Sequence, residues 1–486
     1  MAYTVFPRST PSSQGVDPVG VEAFLDAMEA HPEVELHSLM LLRNGHVVTE
    51  GWWAPYAPDR VHLLYSLSKS FASTAAGFAV SEGLLDLDRT VLSYFPELDA
   101  EVTDPRSRSM LVRHVAAMAS GHHDECIDQV WASDPGDLVR GFLRIPPEEE
   151  PGTWFAYNQP CTYTLAAIVQ RESGQSLVDY LRPRLFDPLG IGAVGWQRHP
   201  AGLELGFTGL HATTDAVAKL GQLYLQRGWW GDRQLLPAEW VAQATSIQID
   251  TPLKEEPDWR QGYGFQFWGA RHGYRGDGAY GQFCIVLPDE QVVVAITSAS
   301  IDMQAVLDGL WTHLLPALSD DHRVSPDRTA ADLHLARRMR QLTVSSATGQ
   351  PSPEQNADRW AGARFSPRGG RCEQQPTLTG VEVDRTDDGW QVTLVEGDDR
   401  LTGTVPETGW GLAGRLEEST GDTNGGVPIA VSGGWQSDGE LAVDVLFVET
   451  PHRLTLTCSP ADGAFEATWG TIPLLEGRLR DLRMSD

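Results

Sequence analysis

The sequence predicts two folded parts: a mixed α/β domain over residues 1–318, whose sheet joins strands from both of its ends, and a small all-β, barrel-like domain over residues 359–486. Three observations lead there. Strand-like runs flank Asn44-Gly45 early in the chain, and further strand-like runs return between Gly262 and Ser298 after a long helix-patterned middle, as in a sheet closed by strands distant in sequence. Beyond residue 358, alternating segments recur at roughly ten-residue spacing with Gly, Asp, Asn or Pro between most of them, the pattern of a barrel or sandwich. Between the two parts, residues 319–358 turn polar and include Ser345-Ser346-Ala347-Thr348-Gly349-Gln350-Pro351-Ser352-Pro353, read as a linker. At 486 residues the chain exceeds what one core usually serves.

Each element has its own warrant. Val21, Phe24, Leu25 and Met28 recur at helical spacing within residues 16–31. Residues 36–53 form two strand-like runs about the Asn-Gly pair, a strong hairpin signal. Ser66 to Val80 is rich in Ala, Ser and Phe and free of proline, predicting a largely buried helix whose first turn holds Ser66 and Lys69. Helices are also expected over 110–119, 161–173, 215–227 and 302–316. Gly262–Trp268, Gln282–Leu287 and Val292–Thr297 read as strands, the last two joined by a Pro288-Asp289-Glu290 turn.

Composition narrows the function. The 41% hydrophobic and 21% charged fractions suit a globular protein, and no run approaches the ~18 apolar residues of a membrane helix. A formal charge of −29 disfavours nucleic acid and anionic lipid as partners. The start of the chain lacks a basic segment followed by an apolar one, which predicts a cytoplasmic location. Five scattered cysteines without a C-x-x-C argue against a disulfide framework or a structural zinc site, so neither metal nor cofactor is expected.

Only three lysines occur, and Lys69 stands three residues after Ser66, completing S-x-x-K. At i and i+3 on a helix the two side chains share a face. An amine can lose its proton when desolvated, whereas a guanidinium stays charged, so lysine suits the task of accepting a serine proton. Downstream, Glu150-Pro151-Gly152-Thr153-Trp154-Phe155-Ala156-Tyr157-Asn158-Gln159 sets Tyr157 at a loop-to-helix junction. Later, Tyr274-Arg275-Gly276-Asp277-Gly278-Ala279-Tyr280-Gly281-Gln282 supplies glycines where a backbone approaches a ligand closely, and leads into a strand. The glycines at 276, 278 and 281 spell a dinucleotide fingerprint, but a strand rather than a helix follows them. Gly121-His122-His123-Asp124-Glu125-Cys126 looks like a metal cluster, yet adjacent loop residues seldom converge on one ion, and the segment is read instead as a loop bordering the active-site cleft. No G-x-S-x-G occurs.

The three pieces, in this order, resemble the serine β-lactamase and penicillin-binding-protein superfamily, most closely its class C β-lactamase and esterase-like branch, over about residues 10–316. The family motifs fall on Ser66/Lys69, on Tyr157-Asn158-Gln159 and on Gly276-Asp277-Gly278. The resemblance implies a β-lactamase-like transpeptidase fold, an antiparallel sheet flanked by helices with a helical region, and a C-terminal domain like the lipocalin-like appendage of some members. It implies a serine hydrolase acting on a small or medium ester or amide, with Ser66 as nucleophile, Lys69 as general base and Tyr157 as proton relay. Asn158 and Gln159 become substrate contacts, and Gly276, Asp277, Gly278 and Ala279 line the substrate and oxyanion site, the oxyanion being held by the amides of Ser66 and Ala279. Two positions depart: Gln159 replaces the usual Asn or Ser, and Gly276 replaces the cation or histidine that engages a substrate carboxylate. The second departure points away from β-lactams and toward esterase and amidase members, with Arg275 or His272 as alternative cations. Amine capture of the acyl group, in an acyltransferase or peptide cyclase, and a non-catalytic binding module are the competing readings.

Overall fold

In a computed structural model, residues 5–319, 325–353, 357–387, 389–414, 426–475 and 477–485 are described. The chain divides into two compact units, Met1–Gly51 with Leu64–Arg340, and Trp52–Leu63 with Gln341–Ser485.

The first unit opens on helix α1 (Pro18–Glu29), with Pro at its first position and Asp17 accepting the amide of Val19. Strands β1 (Leu36–Arg43) and β2 (His46–Trp52) follow. Asn44 and Gly45 both adopt positive φ, 51° and 74°, as the tight hairpin turn requires. The long middle insertion supplies α2 (Ser68–Ser81), α3 (Gln159–Ser173) and α4 (Thr214–Leu225). The chain then returns as β3 (Trp268–Gly269), β4 (Tyr274–Gly278), β5 (Gln282–Leu287) and β6 (Val292–Ser298), before α5 (Met303–Gly309). The sheet runs β2-β1-β6-β5-β4-β3, so the first and last strands of the unit are neighbours, with Leu39 opposite Ile296. Gly276 and Cys284 are in register on one face. Helices α2 and α4 cover that face: a Cβ at Gly276 would meet Ser70, and one at Gly221 of α4 would lie 2.6 Å from Val293 and 3.0 Å from Cys284 Sγ.

Residues within the stretch expected as linker form α6 (Pro326–Met339), an amphipathic helix that buries Leu335 and Met339. Its Arg338 pairs with Asp26 at 2.6 Å and Glu29 at 2.9 Å on α1. Its Asp332 accepts the amide and hydroxyl of Ser12.

Among the described residues of the second unit, nine strands form one sheet: β7 (Ala363–Pro367), β8 (Gly380–Thr386), β9 (Gly389–Glu396), β10 (Asp399–Val405), β11 (Gly411–Ala413), β12 (Ile429–Trp435), β13 (Leu441–Phe447), β14 (Arg453–Ser459) and β15 (Ala464–Trp469). Their order is β10-β9-β8-β7-β15-β14-β13-β12-β11, with β7 and β15 parallel. The sheet curls until its ends meet: a Cβ at Gly403 of β10 would lie 2.3 Å from Val431 of β12. This nearly closed barrel encloses alternating apolar residues, among them Trp360, Trp390, Trp435, Val381 and Val443. The segment 52–63 belongs here: Ala54 N–H donates to Leu342 O, Tyr56 OH to Thr450 O and Leu63 N–H to Glu449 O. Among the described residues no helix is long and apolar enough to cross a membrane.

Candidate active site

Ser66 stands two residues before α2, in the tight turn Tyr65–Leu67, rather than in the first α-helical turn. The turn is pinned from both sides, because Leu64 N–H donates to Leu210 O (2.8 Å) and Leu210 N–H donates to Ser68 Oγ (3.0 Å). Tyr65 consequently takes φ 46°, a left-handed conformation that a bulky residue adopts only where its surroundings impose it. Lys69, on the first turn of α2, is 1% exposed. Its ammonium donates to Ser66 Oγ at 3.0 Å, Gln159 Oε1 at 2.5 Å and Phe207 O at 2.9 Å. Three acceptors exhaust its three protons. Burial pulls its pKa down to about 7, against the opposing pull of the Glu125 and Asp277 carboxylates.

Tyr157 closes the other side, with Lys69 Nζ 4.8 Å from its ring centre and its hydroxyl hydrogen-bonded to Ser66. Burial, then the charge of Asp277, pushes this phenol well above its ordinary pKa, so it keeps its proton at working pH. Its ring stacks on Trp268 (5.4 Å, 19° between planes) and meets Tyr263 edge-on at 6.1 Å. Trp268 in turn hydrogen-bonds Asp277, whose carboxylate receives Arg275 Nε at 3.0 Å. Arg275 is fully buried, bonded to the carbonyls of Asp258 and Gly269 and lying over Trp259. Asp277 is therefore engaged by protein groups and acts on the site by its field. His272 is exposed and lies against Trp311.

Three further expectations change. Asn158 is fully buried and turned away from Ser66; its Oδ1 accepts the Cys126 amide at 3.1 Å and its Nδ2 contacts Cys126 Sγ at 3.2 Å, so it fastens the 121–126 loop rather than a substrate. Gly276 faces α2 and leaves no room for a side chain: a Cβ there would lie 2.4 Å from Ser70 Oγ and 2.6 Å from Leu67. Gly276→Lys is thus expected to cost about 2 kcal/mol or more through overpacking, seen as a lowered Tm, and an unchanged Tm would refute this placement. Gly278 is a glycine for the same reason: its Cβ position is 2.1 Å from Leu64 O and 3.1 Å from the Ser66 nitrogen. The strand end carrying Ala279 thereby passes directly over the Ser66 amide, and the chain reverses at Tyr280 and Gly281 (φ 64° and 82°) into β5. The 276–281 glycines serve this hairpin and its contact with α2, and no helix follows them.

A family model described as Beta-lactamase matches residues 25–305, more than half of the chain. The chain belongs to the beta-lactamase family. Within the family it is similar to the 6-aminohexanoate-dimer hydrolase of Paenarthrobacter ureafaciens, 26% identical over 220 residues, covering 42% of this chain and 55% of that protein. It is also similar to the lovastatin esterase of Penicillium rubens, 28% identical over 159 residues, or 28% of this chain and 40% of that one. The matches thus span about half the length of these curated relatives. Among solved structures, the octameric penicillin-binding protein homologue of Pyrococcus abyssi aligns over 91% of this chain and 98% of its own, with TM-score 0.50 and 17% identity, a likeness of fold.

This beta-lactamase-family site contains one participant that the sequence did not disclose and one that it placed only within a loop bordering the cleft. Phe207 contributes a backbone oxygen, which no side-chain pattern announces, and its ring centre lies 5.8 Å from Lys69 Nζ. Glu125 lies in the loop that resembled a metal cluster; its Oε1 accepts the Gln159 amide at 2.9 Å and the Ile127 amide at 3.3 Å. In the same loop His122 is bound to Ser120 and Ile145, and His123 to Glu149. Among the described residues, no group of three or more His, Cys, Asp or Glu is gathered to hold a metal ion.

Proposed function

We propose that the chain is a serine hydrolase that forms an acyl-enzyme on Ser66 from a neutral ester or amide and releases the acid to water. The observation that carries this reading is the Lys69 amine, buried, 3.0 Å from Ser66 Oγ and with its pKa drawn down to about 7. A neutral amine there accepts the serine proton as Oγ bonds to the carbonyl carbon. The tetrahedral oxyanion forms beside the amides of Ser66 and Ala279. Tyr157, protonated in the resting site, is suited to deliver its proton to the departing alcohol or amine as it takes one from the Lys69 ammonium. Water then attacks the acyl carbon while its proton returns along the same groups.

Charge supports the substrate class. The basic groups placed at the site are Lys69, which faces Ser66, and Arg275, which is already paired with Asp277. Glu125 stands exposed beside Gln159. A carboxylate on the acyl group would meet the Glu125 carboxylate, while Lys69 and Arg275 are already engaged, so uncharged acyl donors should be favoured. The relatives named hydrolase and esterase agree with ester or amide chemistry.

The test is a pre-steady-state assay with p-nitrophenyl butyrate and p-nitrophenyl hemisuccinate, following nitrophenol release and intact mass. The expected result is a nitrophenol burst with a butyryl adduct, and kcat/KM for the hemisuccinate lower by about tenfold or more. No adduct and no release from either ester would sink the hydrolase reading. Equal use of both would overturn the charge preference alone.

A further inference from the structure

We infer that Glu125 is a positioning residue of the Ser66 site, holding Gln159 so that its amide oxygen stays on Lys69 and setting a carboxylate near the Lys69 amine. The inference rests on the acyl-enzyme reading above and goes beyond it, since nothing in the S-x-x-K or tyrosine motifs calls for this residue.

The geometry is a chain of contacts across three segments. Gln159 is the first residue of α3, where backbone N–H groups lack helical partners, and its N-cap, Asn158, has turned its side chain to Cys126 instead of capping. Glu125 takes over that role from another loop, accepting the Gln159 amide at 2.9 Å. The Gln159 side chain is also hydrogen-bonded to Glu125, and its Oε1 accepts from Lys69 at 2.5 Å. An amide has one acceptor and one donor end, so a carboxylate on the donor end fixes which end faces the lysine. Cys126, next in sequence, is locked against Asn158, which anchors the loop that presents Glu125.

The groups facing Lys69 are Ser66, Gln159, the Phe207 carbonyl, Tyr157, Glu125 and Asp277, the last joined to Arg275. Of these, Glu125 and Asp277, both held above the ordinary carboxylate range by desolvation, favour the ammonium in their ionised form, and the nearby thiols Cys126 and Cys161 are pushed up by burial and remain neutral. The sign follows. Glu125 holds the Lys69 pKa up, so its loss lets burial lower that pKa further, the free amine appears at lower pH, and the acid limb of acylation moves down.

The experiment measures kcat/KM, kcat and KM for p-nitrophenyl butyrate from pH 5 to 9 on the full chain, for wild type, Glu125→Gln, Glu125→Asp and Glu125→Ala, with circular dichroism verifying the fold. Glu125→Gln is expected to shift the acid limb down by about half a unit or more. Glu125→Asp should keep the limb near that of wild type, while Glu125→Ala should shift it and lower kcat by roughly tenfold through the loosened Gln159. Folded variants whose limbs and kcat match wild type overturn the inference, as does a change confined to KM, which would make Glu125 a substrate contact, or one confined to Tm, which would make it a helix cap only. Absence of turnover in wild type itself is a different result and counts against the acyl-enzyme reading.

Discussion

Ser66→Ala is expected to abolish the adduct formed with p-nitrophenyl butyrate or a fluorophosphonate and to lower kcat by on the order of 10⁴-fold or more, because it deletes the atom that bonds the acyl carbon. Folding should survive. The side chain is only half-buried, and what it contributes to the native state is a hydrogen bond with Lys69 and one with Tyr157, so the change in stability should stay within about 1 kcal/mol. Intact mass after brief labelling separates the outcomes. An adduct of equal extent on the alanine variant would place the nucleophile elsewhere and end the assignment.

The second large effect is expected at Lys69, where arginine should be nearly as damaging as alanine: acylation should fall by roughly 10³-fold in each. A guanidinium keeps its proton at any useful pH, so it can complement charge but not accept a proton from Ser66. It must also fit a pocket whose three acceptors are spaced for one compact ammonium. Stopped-flow acylation rates for the two variants decide the matter. Substantial turnover by Lys69→Arg would reassign lysine to an electrostatic role and leave proton acceptance to another group.

The fold, the family and the Ser66–Lys69 neighbourhood were legible in the sequence because each depends on short-range geometry. A separation of three residues on a tight turn running into a helix leaves little freedom, and Asn44-Gly45 fixes its own hairpin. What failed depended on direction. Asn158 and Gln159 are adjacent, and only the packed structure determines that Asn158 turns inward to Cys126 while Gln159 reaches Lys69. Gly276 was legible as a departure from a motif, but its cause, the seat it leaves for Ser70 and Leu67, lies two hundred residues away. Asp277 was read as a substrate contact because its buried partners, Arg275 and Trp268, lie on the same strand and the neighbouring one and carry no outward mark of pairing. Helix α6 was hidden by its polarity, since a helix that buries few residues, Leu335 and Met339 among them, differs little in composition from a linker.

The passage of residues 52–63 through the second unit gives the chain an order of assembly. Ribosomal synthesis delivers this segment first, yet the Leu342 carbonyl that it binds emerges only after some 280 further residues, and those of Glu449 and Thr450 after nearly 390. At ordinary translation speeds that delay is roughly a quarter of a minute to somewhat over a minute. Throughout it, residues 52–63 are without these three acceptors. Truncation after Arg340 makes that interval permanent, so a shortened chain would lose more than its C-terminal strands: residues 52–63 would be left without the carbonyls that hold them.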